Sequence, residues 1–442
     1  MKRRELLQGL AALVPASSVL GHYSAVAAPL RKKVKITDLK AMVIGRPGGN
    51  TLVRIDTDAG ITGYGEAYWG FGVKDVMMGY LRDAIMGEDP LDIDPLYTKM
   101  IFRTGGAGAI GGVTVTAISG VEIALWDLAG RLLGQPVCKL LGGQYRTGVL
   151  AYLTTGPADF LDPASCREWA AMVKEHRYGF TAVKTDIRRL GYPEENLYET
   201  VLDSPHGYNR QLTNQDLDNN TKGFANVREA LGPDFGIAVH THWELDWSDA
   251  LNLARAVAAM RPMWLEDPLP PEFCDSWVKL TEESPIPILT GENLYTRRGF
   301  MPFIVHQGCH IVQIDIPKSG GLLESKKIAD LADIFDMPVC AHNAIGPLGC
   351  IASAHCAASI RDFKGHELAL SPPLGPTASE THELTWGFYQ GDPSKAWEQF
   401  VIHEGPLVKD GRILVPDKPG LGVEPNPDYI RGHLAPGETW WG

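Results

Sequence analysis

Pro262-Met263-Trp264-Leu265 is a short apolar run that leads into Glu266, with Asp267-Pro268 closing the segment. Pro287-Ile288-Leu289-Thr290 leads in the same way into Gly291-Glu292, and Ile311-Val312-Gln313-Ile314 into Asp315. Outward from these three, similar runs occur at 149–152, 181–184, 236–239, 338–341 and 367–370. Helical stretches lie between them, such as 248–260, where Leu253, Val257 and Met260 form one stripe. Eight strands in alternation with helices predict a β/α barrel.

The ionisable residues at or near the ends of these runs keep a regular interval. His240, Glu266, Glu292, Asp315, His342 and Glu367 are separated by 26, 26, 23, 27 and 25 residues, and one βα unit consumes roughly 25 to 30. Side chains at such positions project at the C-terminal face, where barrels of this kind keep their chemistry. One interval breaks the pattern: Lys184 and His240 are 56 residues apart. The excess, 188–220, is polar and carries Gly, Pro and Asn. It is expected to be a lid or specificity loop above the pocket, with a disordered excursion as the alternative.

The first third has another organisation. Segments 34–37 and 51–55 alternate as strands do, and 57–60 closes a turn. Ile118, Val121, Leu125, Leu128 and Leu132 recur at spacings of three and four, which predicts a helix with one buried face, ended by Gly134 and Pro136. This describes a separate α+β domain over 34–148, ahead of a barrel over 149–370.

The chain has 442 residues, 44% of them apolar, and a net charge of −12, with no basic tract beyond Arg31-Lys32-Lys33. A nucleic-acid partner or a broad anionic-membrane surface is therefore not expected. Residues 1–28 read as an export leader: Lys2-Arg3-Arg4, an apolar stretch from Leu10 to Leu20, and Ala25-Val26-Ala27-Ala28 as an A-x-A cleavage site. Pro15 and Ser17-Ser18 interrupt the stretch, which is too short to span a bilayer, so no stable membrane insertion is expected. The adjacent arginines resemble a twin-arginine signal and imply a periplasmic address, although Lys2 stands where Ser is usual; a frayed tail is the alternative. Seven cysteines without a CxxC pair fit buried thiols better than a disulfide framework.

Glu266 and Glu292 end adjacent strands, so their backbones lie roughly 5 Å apart and their carboxylates can converge on one cation. Two surface glutamates are the bland alternative. His240, one strand earlier, completes a three-ligand row, although a histidine at a strand end is as readily structural. Asp315 and His342 end the next two strands. A carboxylate beside an imidazole fixes its tautomer and raises its basicity, which makes a general base; a packed histidine bonded to loop backbone is the alternative.

Several segments together resemble the mandelate racemase branch of the enolase superfamily. They are Ala182-Val183-Lys184-Thr185-Asp186, Leu265-Glu266-Asp267-Pro268, Gly291-Glu292-Asn293, Val312-Gln313-Ile314-Asp315, Ser319-Gly320-Gly321 and Ala341-His342-Asn343. Gly60-Ile61-Thr62-Gly63-Tyr64-Gly65-Glu66, Ala124-Leu125-Trp126-Asp127-Leu128-Ala129-Gly130, Leu140-Leu141-Gly142-Gly143 and the tail Pro416-Asp417-Lys418-Pro419-Gly420-Leu421-Gly422 are similar to that family's other parts. The resemblance covers nearly all the chain beyond the leader. It implies an α/β fold, a modified (β/α)7β TIM-type barrel under an N-terminal α+β capping domain, with 371–442 packing back on the cap. It also implies Mg²⁺ on His240, Glu266 and Glu292, a small-molecule carboxylate substrate, and a homo-oligomer. His342 with Asp315 would be the base on one face. Glu367 would correspond to the acid that hydrogen-bonds the substrate's other carboxylate oxygen, and Lys184 would lie near the substrate carboxylate or the metal-bound oxygens. A cation aimed at the charge that develops when an α-proton leaves makes that weakly acidic proton removable.

Two departures from the family pattern set the expected reaction. Lys184-Thr185-Asp186 stands where Lys-x-Lys is usual, so Asp186 replaces the base of the second face and racemisation is disfavoured. Sugar-acid dehydratases of the family work with one base and an acid; His242, two residues after His240 and on the same side of its strand, is the candidate acid. His240 itself replaces the usual Asp ligand. Imidazole is softer and removes a negative charge, which shifts preference from Mg²⁺ toward Mn²⁺, Zn²⁺ or Fe²⁺; a disabled site is the alternative. Tyr68 and Trp243 are candidate substrate-binding walls. The expected reaction is dehydration of a polyhydroxy carboxylate to a 2-keto-3-deoxy acid. An epimerase or racemase, or a cycloisomerase, on the same intermediate, and a non-catalytic periplasmic sugar-acid binding protein, are the alternatives.

Overall fold

The computed structural model describes residues 23–25, 27–45, 47–106, 110–187, 212–370 and 397–441. The leader up to residue 22, most of the 188–220 excess and 371–396 lie outside the described residues.

The N-terminal domain is built on three antiparallel strands, β1 (Ile36–Val43), β2 (Thr51–Thr57) and β3 (Thr62–Ala67). Helix Gly112–Leu133 packs on them and ends at Gly134, whose φ of 64° is the left-handed cap that glycine adopts without penalty. The spacing predicted one buried face, but every residue from Val115 to Gly130 is buried. The reason is that the helix has a neighbour on each side. Toward β3 it packs through glycines: a Cβ on Gly65 would lie 2.3 Å from the carbonyl oxygen of Gly120. Toward the barrel, its Glu122 accepts the backbone N–H groups of Leu322 and Leu323 at 2.7 and 3.0 Å. Tyr23 also reaches this domain, its ring edge-on to Trp126 at 5.0 Å and its hydroxyl donating to Leu91 O at 2.8 Å. Part of the segment read as a cleavable leader is thus packed into the cap.

The next eight strands form the barrel: β4 (Gly148–Thr154), β5 (Ala182–Asp186), β6 (Gly236–His240), β7 (Leu265–Glu266), β8 (Ile288–Thr290), β9 (Ile311–Asp315), β10 (Val339–His342) and β11 (Phe363–Leu368). Each pairs in parallel with the next, and β11 pairs with β4 to close the cylinder. Seven longer helices cover the first seven strands, from Pro163–Glu175 to Pro347–Ala358. Two sequence expectations shift. The last strand starts at Phe363 rather than 367, because its opening residues Lys364 and His366 are polar and hide it from an apolar-run reading. The end of the 188–220 excess is not loop. Thr213 and Asp216 form a capping box that starts helix Asn214–Leu231, which completes the second βα unit.

The C-terminal segment does more than return to the cap. A strand at Arg412–Leu414 pairs antiparallel with β4. Beyond it, Leu421 N donates to Asp127 at 2.7 Å, and Glu438 takes an ion pair from Lys74 at 2.7 Å.

Candidate active site

Tyr152, Ala182, Ala238, Trp264, Leu289, Ile311 and Cys340 form a separate apolar cluster, one from each strand from β4 to β10 except Trp264, which immediately precedes β7. Because side chains alternate along a strand, the residue two positions further on also faces the barrel interior. That step gives Lys184 and then Asp186 on β5, His240 on β6, Glu266 on β7, Gln313 and then Asp315 on β9, and His342 on β10. Register keeps them level: Asp186 pairs with His240, His240 with Glu266, and Asp315 with His342. The polar layer of the site is thus the next layer above an apolar plug.

Glu292 does not follow from alternation. Leu289 faces inward, so Glu292 would face outward if the strand continued. Gly291, with φ 139°, breaks the phase, and a Cβ there would lie 2.1 Å from Gln313 O. Glu292 is thereby buried in the site, its Oε2 3.3 Å from His342 Nε2. His242, Trp243 and Asp267 also have positive φ, of 49°, 52° and 47°. Such backbone costs about 1–3 kcal/mol per residue and persists where the surroundings hold it. Here Trp243 N donates to Asp267 O at 2.5 Å, and Leu245 N to Pro268 O at 3.1 Å.

Lys184 is buried at the centre and donates to Glu266 and Glu367, each at 2.8 Å. Burial opposes its charge, but Glu266, Glu367 and Glu292 outweigh this and raise its pKa well above the ordinary value. Glu266 is engaged on both oxygens, by Lys184 and by Gln313 Nε2 (2.9 Å) on one and by Trp264 Nε1 (2.9 Å) on the other. Glu367 also accepts from Thr154 and from Asn343 N at 3.3 Å. Burial would raise its pKa, but Lys184 and His342 lower it, so this group is held as a carboxylate.

His342 Nδ1 lies 2.7 Å from Asp315 Oδ2, which leaves Nε2 facing Glu292 and Glu367 at 3.3 and 3.5 Å. Burial would lower its pKa, yet Glu292, Glu367 and Asp315 bring it up to about 9. On the other side, His240 Nδ1 lies 2.8 Å from Asp186 Oδ1, and His242 Nδ1 lies 3.7 Å from the same oxygen. The two imidazoles are 3.7 Å apart. Burial and the repulsion of His240 push His242 down to about 4, whereas His240, favoured by Asp186 and Glu266 over burial, rises to about 9. Asp186 is therefore an orienting anion for a histidine pair. Tyr68 stands 6.0 Å from His342, ring to ring, and Lys318 sits 5.1 Å over its face. Trp243 is half-buried beside His242, ring centroids 5.7 Å apart.

His240, Glu266, Asp267 and Glu292 each offer a ligand atom, all within 4.8 Å of one another, and all four residues are buried. His240 Nε2, Asp267 Oδ2 and Glu292 Oε2 have no hydrogen-bond partner. Buried polar atoms are rarely left so, and this donor set of oxygen with one imidazole fits a divalent cation. Asp267 was not picked out from the sequence, although it follows Glu266 directly; the turn that brings both side chains to one place is a backbone property. Gln313 and Asn343 stand inside segments that carry the family resemblance but were given no role, and Lys318 was not singled out.

Residues 48–142 match the family described as mandelate racemase / muconate lactonizing enzyme, N-terminal domain, and residues 166–429 match enolase C-terminal domain-like. A D-xylonate dehydratase of Haloferax volcanii is 35% identical over 413 residues, 92% of this chain and 91% of its own. Among solved structures, a mandelate racemase/muconate lactonizing enzyme-like protein from Rubrobacter xylanophilus is similar with a TM-score of 0.79 and 29% identity, over 92% of this chain and 99% of that one. The 3,6-anhydro-D-galactonate cycloisomerase from Zobellia galactanivorans is similar with a TM-score of 0.72 and 26% identity, over 90% and 99%.

Proposed function

The chain belongs to the mandelate racemase / muconate lactonizing enzyme family of the enolase superfamily, and from that premise we propose that it is a hydro-lyase that dehydrates a sugar acid to a 2-keto-3-deoxy acid. The relative that is a D-xylonate dehydratase supports an aldonate of about that size as substrate. His240, Glu266 and Glu292 would hold a divalent cation, Mg²⁺ or Mn²⁺, which stabilises the negative charge gathered on the substrate carboxylate.

The observation that carries the proposal is the His342–Asp315 pair: Asp315 fixes Nδ1, so Nε2 is the nitrogen that faces the pocket. Glu292 is the strongest of the carboxylates that hold His342 protonated, and turned to a cation it would release that hold. The neutral Nε2 then takes the proton α to the carboxylate, and the electron pair of that C–H bond forms the enolate. The β-carbon to oxygen bond then breaks, and the hydroxyl leaves as water with the proton that His342 has just gained, or with one from His242 once a proton reaches that ring. Burial and the repulsion of His240 otherwise keep that ring neutral. The resulting enol tautomerises to the keto acid. Lys184, held between Glu266 and Glu367, keeps a fixed positive charge beside the site of developing negative charge. Tyr68 and Trp243 are the proposed walls against the sugar chain.

Incubation with a panel of five- and six-carbon aldonates and Mg²⁺ or Mn²⁺, followed by a keto-acid assay, tests the reading; no keto acid from any member would defeat it. The likeness to a cycloisomerase favours a second outcome, in which an internal oxygen closes a ring and no water is released. Product mass distinguishes the two. Twin-arginine export to the periplasm and a homo-oligomer are part of the proposal, supported by the leader pattern and the family resemblance. N-terminal sequencing of the periplasmic fraction and light scattering test them.

A further inference from the structure

Counting charge around the four grouped donors exposes an imbalance. His240 contributes a neutral nitrogen if it binds a metal, since its other nitrogen is engaged with Asp186. Glu266 is paired with the ammonium of Lys184, and both its oxygens already accept hydrogen bonds. Glu292 has an oxygen without a hydrogen-bond partner, but that oxygen faces His342 Nε2 at 3.3 Å, so little uncompensated negative charge is left for a hard dication that binds through carboxylates. Asp267 supplies what is missing. It is 4% exposed. Its Oδ1 accepts the hydroxyl of Thr290 at 2.5 Å, its Oδ2 has no hydrogen-bond partner, and its ligand atom lies in the same 4.8 Å group as those of His240, Glu266 and Glu292. Its left-handed backbone, φ 47°, is the local price of turning a second consecutive side chain toward the same point.

We infer that Asp267 is a direct ligand of the divalent cation in this site and restores the negative charge that His240 does not bring. The inference rests on the metal-dependent reading above, deepens it, and makes residues 240 and 267 energetically coupled although they lie on different strands' ends.

Mn²⁺ titration calorimetry on the full chain tests it, with Asp267→Asn, His240→Asp and the double variant compared in one cycle. Asparagine is nearly isosteric and can still accept from Thr290, and the melting temperature of each metal-free variant monitors folding. Asp267→Asn is expected to weaken Mn²⁺ binding by at least about 10- to 100-fold, the loss that follows when only a hydrogen-bond partner of a metal ligand is changed. In the His240→Asp background the same change is expected to weaken it by less than about threefold, because the charge is then supplied at position 240. An anomalous map of Mn²⁺-loaded wild-type crystals gives a second readout that needs no variant: Asp267 Oδ2 at about 2.1–2.4 Å from the ion. Mn²⁺ affinity unchanged in Asp267→Asn, an equal loss in both backgrounds, or an ion out of reach of Asp267 overturns the inference alone. No Mn²⁺ uptake by the unaltered protein overturns it together with the metal-dependent reading.

Discussion

At the scale of single residues, the proposed reaction gives the two nitrogens of His342 separate duties. Asp315, fully buried, lies 2.7 Å from Nδ1, which leaves Nε2 facing the pocket. Replacing the ring by an amide keeps much of the shape and removes the base. His342→Asn is therefore expected to lower kcat by about 10²- to 10⁴-fold, the usual contribution of a positioned acid–base group. Keto-acid formation measures the loss, and exchange of the α-hydrogen in D₂O should fall with it; exchange at the wild-type rate would assign the base elsewhere. Much of this residue layer was legible beforehand, since His240, Glu266, Asp315 and His342 each close an apolar run at the interval of one βα unit. Asp267 and Glu292 are different. Their side chains enter the site through left-handed backbone at Asp267 and a phase break at Gly291, and neither is coded by alternation.

At the scale of elements, the cap depends on how closely helix Gly112–Leu133 approaches β3. Gly65 faces the carbonyl oxygen of Gly120, where a Cβ would sit at 2.3 Å, so the backbones touch with no room between them. Gly65→Ala must push the helix off the sheet and is expected to cost about 1–3 kcal/mol, as overpacking does; thermal or denaturant unfolding reads this directly. The segment before β1 is a second case. Tyr23 packs on Trp126 and bonds Leu91 O, inside the stretch whose A-x-A pattern predicts removal. A chain beginning at Tyr23 is expected to be about 2 kcal/mol more stable than one beginning at Pro29, the worth of one buried aromatic side chain. Equal unfolding midpoints would show that this contact carries nothing.

At the scale of the whole molecule, cap and barrel meet through buried carboxylates. Glu122 receives Leu322 N, Leu323 N and Trp126 Nε1, and Glu66 receives Gly346 N, Gly349 N and Asn50. Both stand at the N-terminal ends of barrel helices, Gly321–Ile334 and Pro347–Ala358. Burial pushes each pKa up to about 7, against the opposing pull of those N–H groups. A carboxyl whose folded pKa is raised contributes stability that is complete below its ordinary value of 4.5 and is lost as pH rises through about 7. The denaturant midpoint is accordingly expected to fall between about pH 4.5 and 7 and to level off above that, and Glu122→Gln should fall less over the same interval. An identical pH slope in the variant would remove Glu122 from the account.

The sequence alone determined the barrel, its cap and the ring of strand-end groups, because alternation and the length of a βα unit are local rules that each segment obeys by itself. Only the tertiary structure decided which donors meet at one point and which are already neutralised. Lys184 bridging Glu266 and Glu367, Asp186 shared by two histidines, and Asp267 brought beside His240 and Glu292 are all relations between residues from different βα units. Charge balance in a buried pocket depends on distances across the barrel, and those exist only once the cylinder has closed.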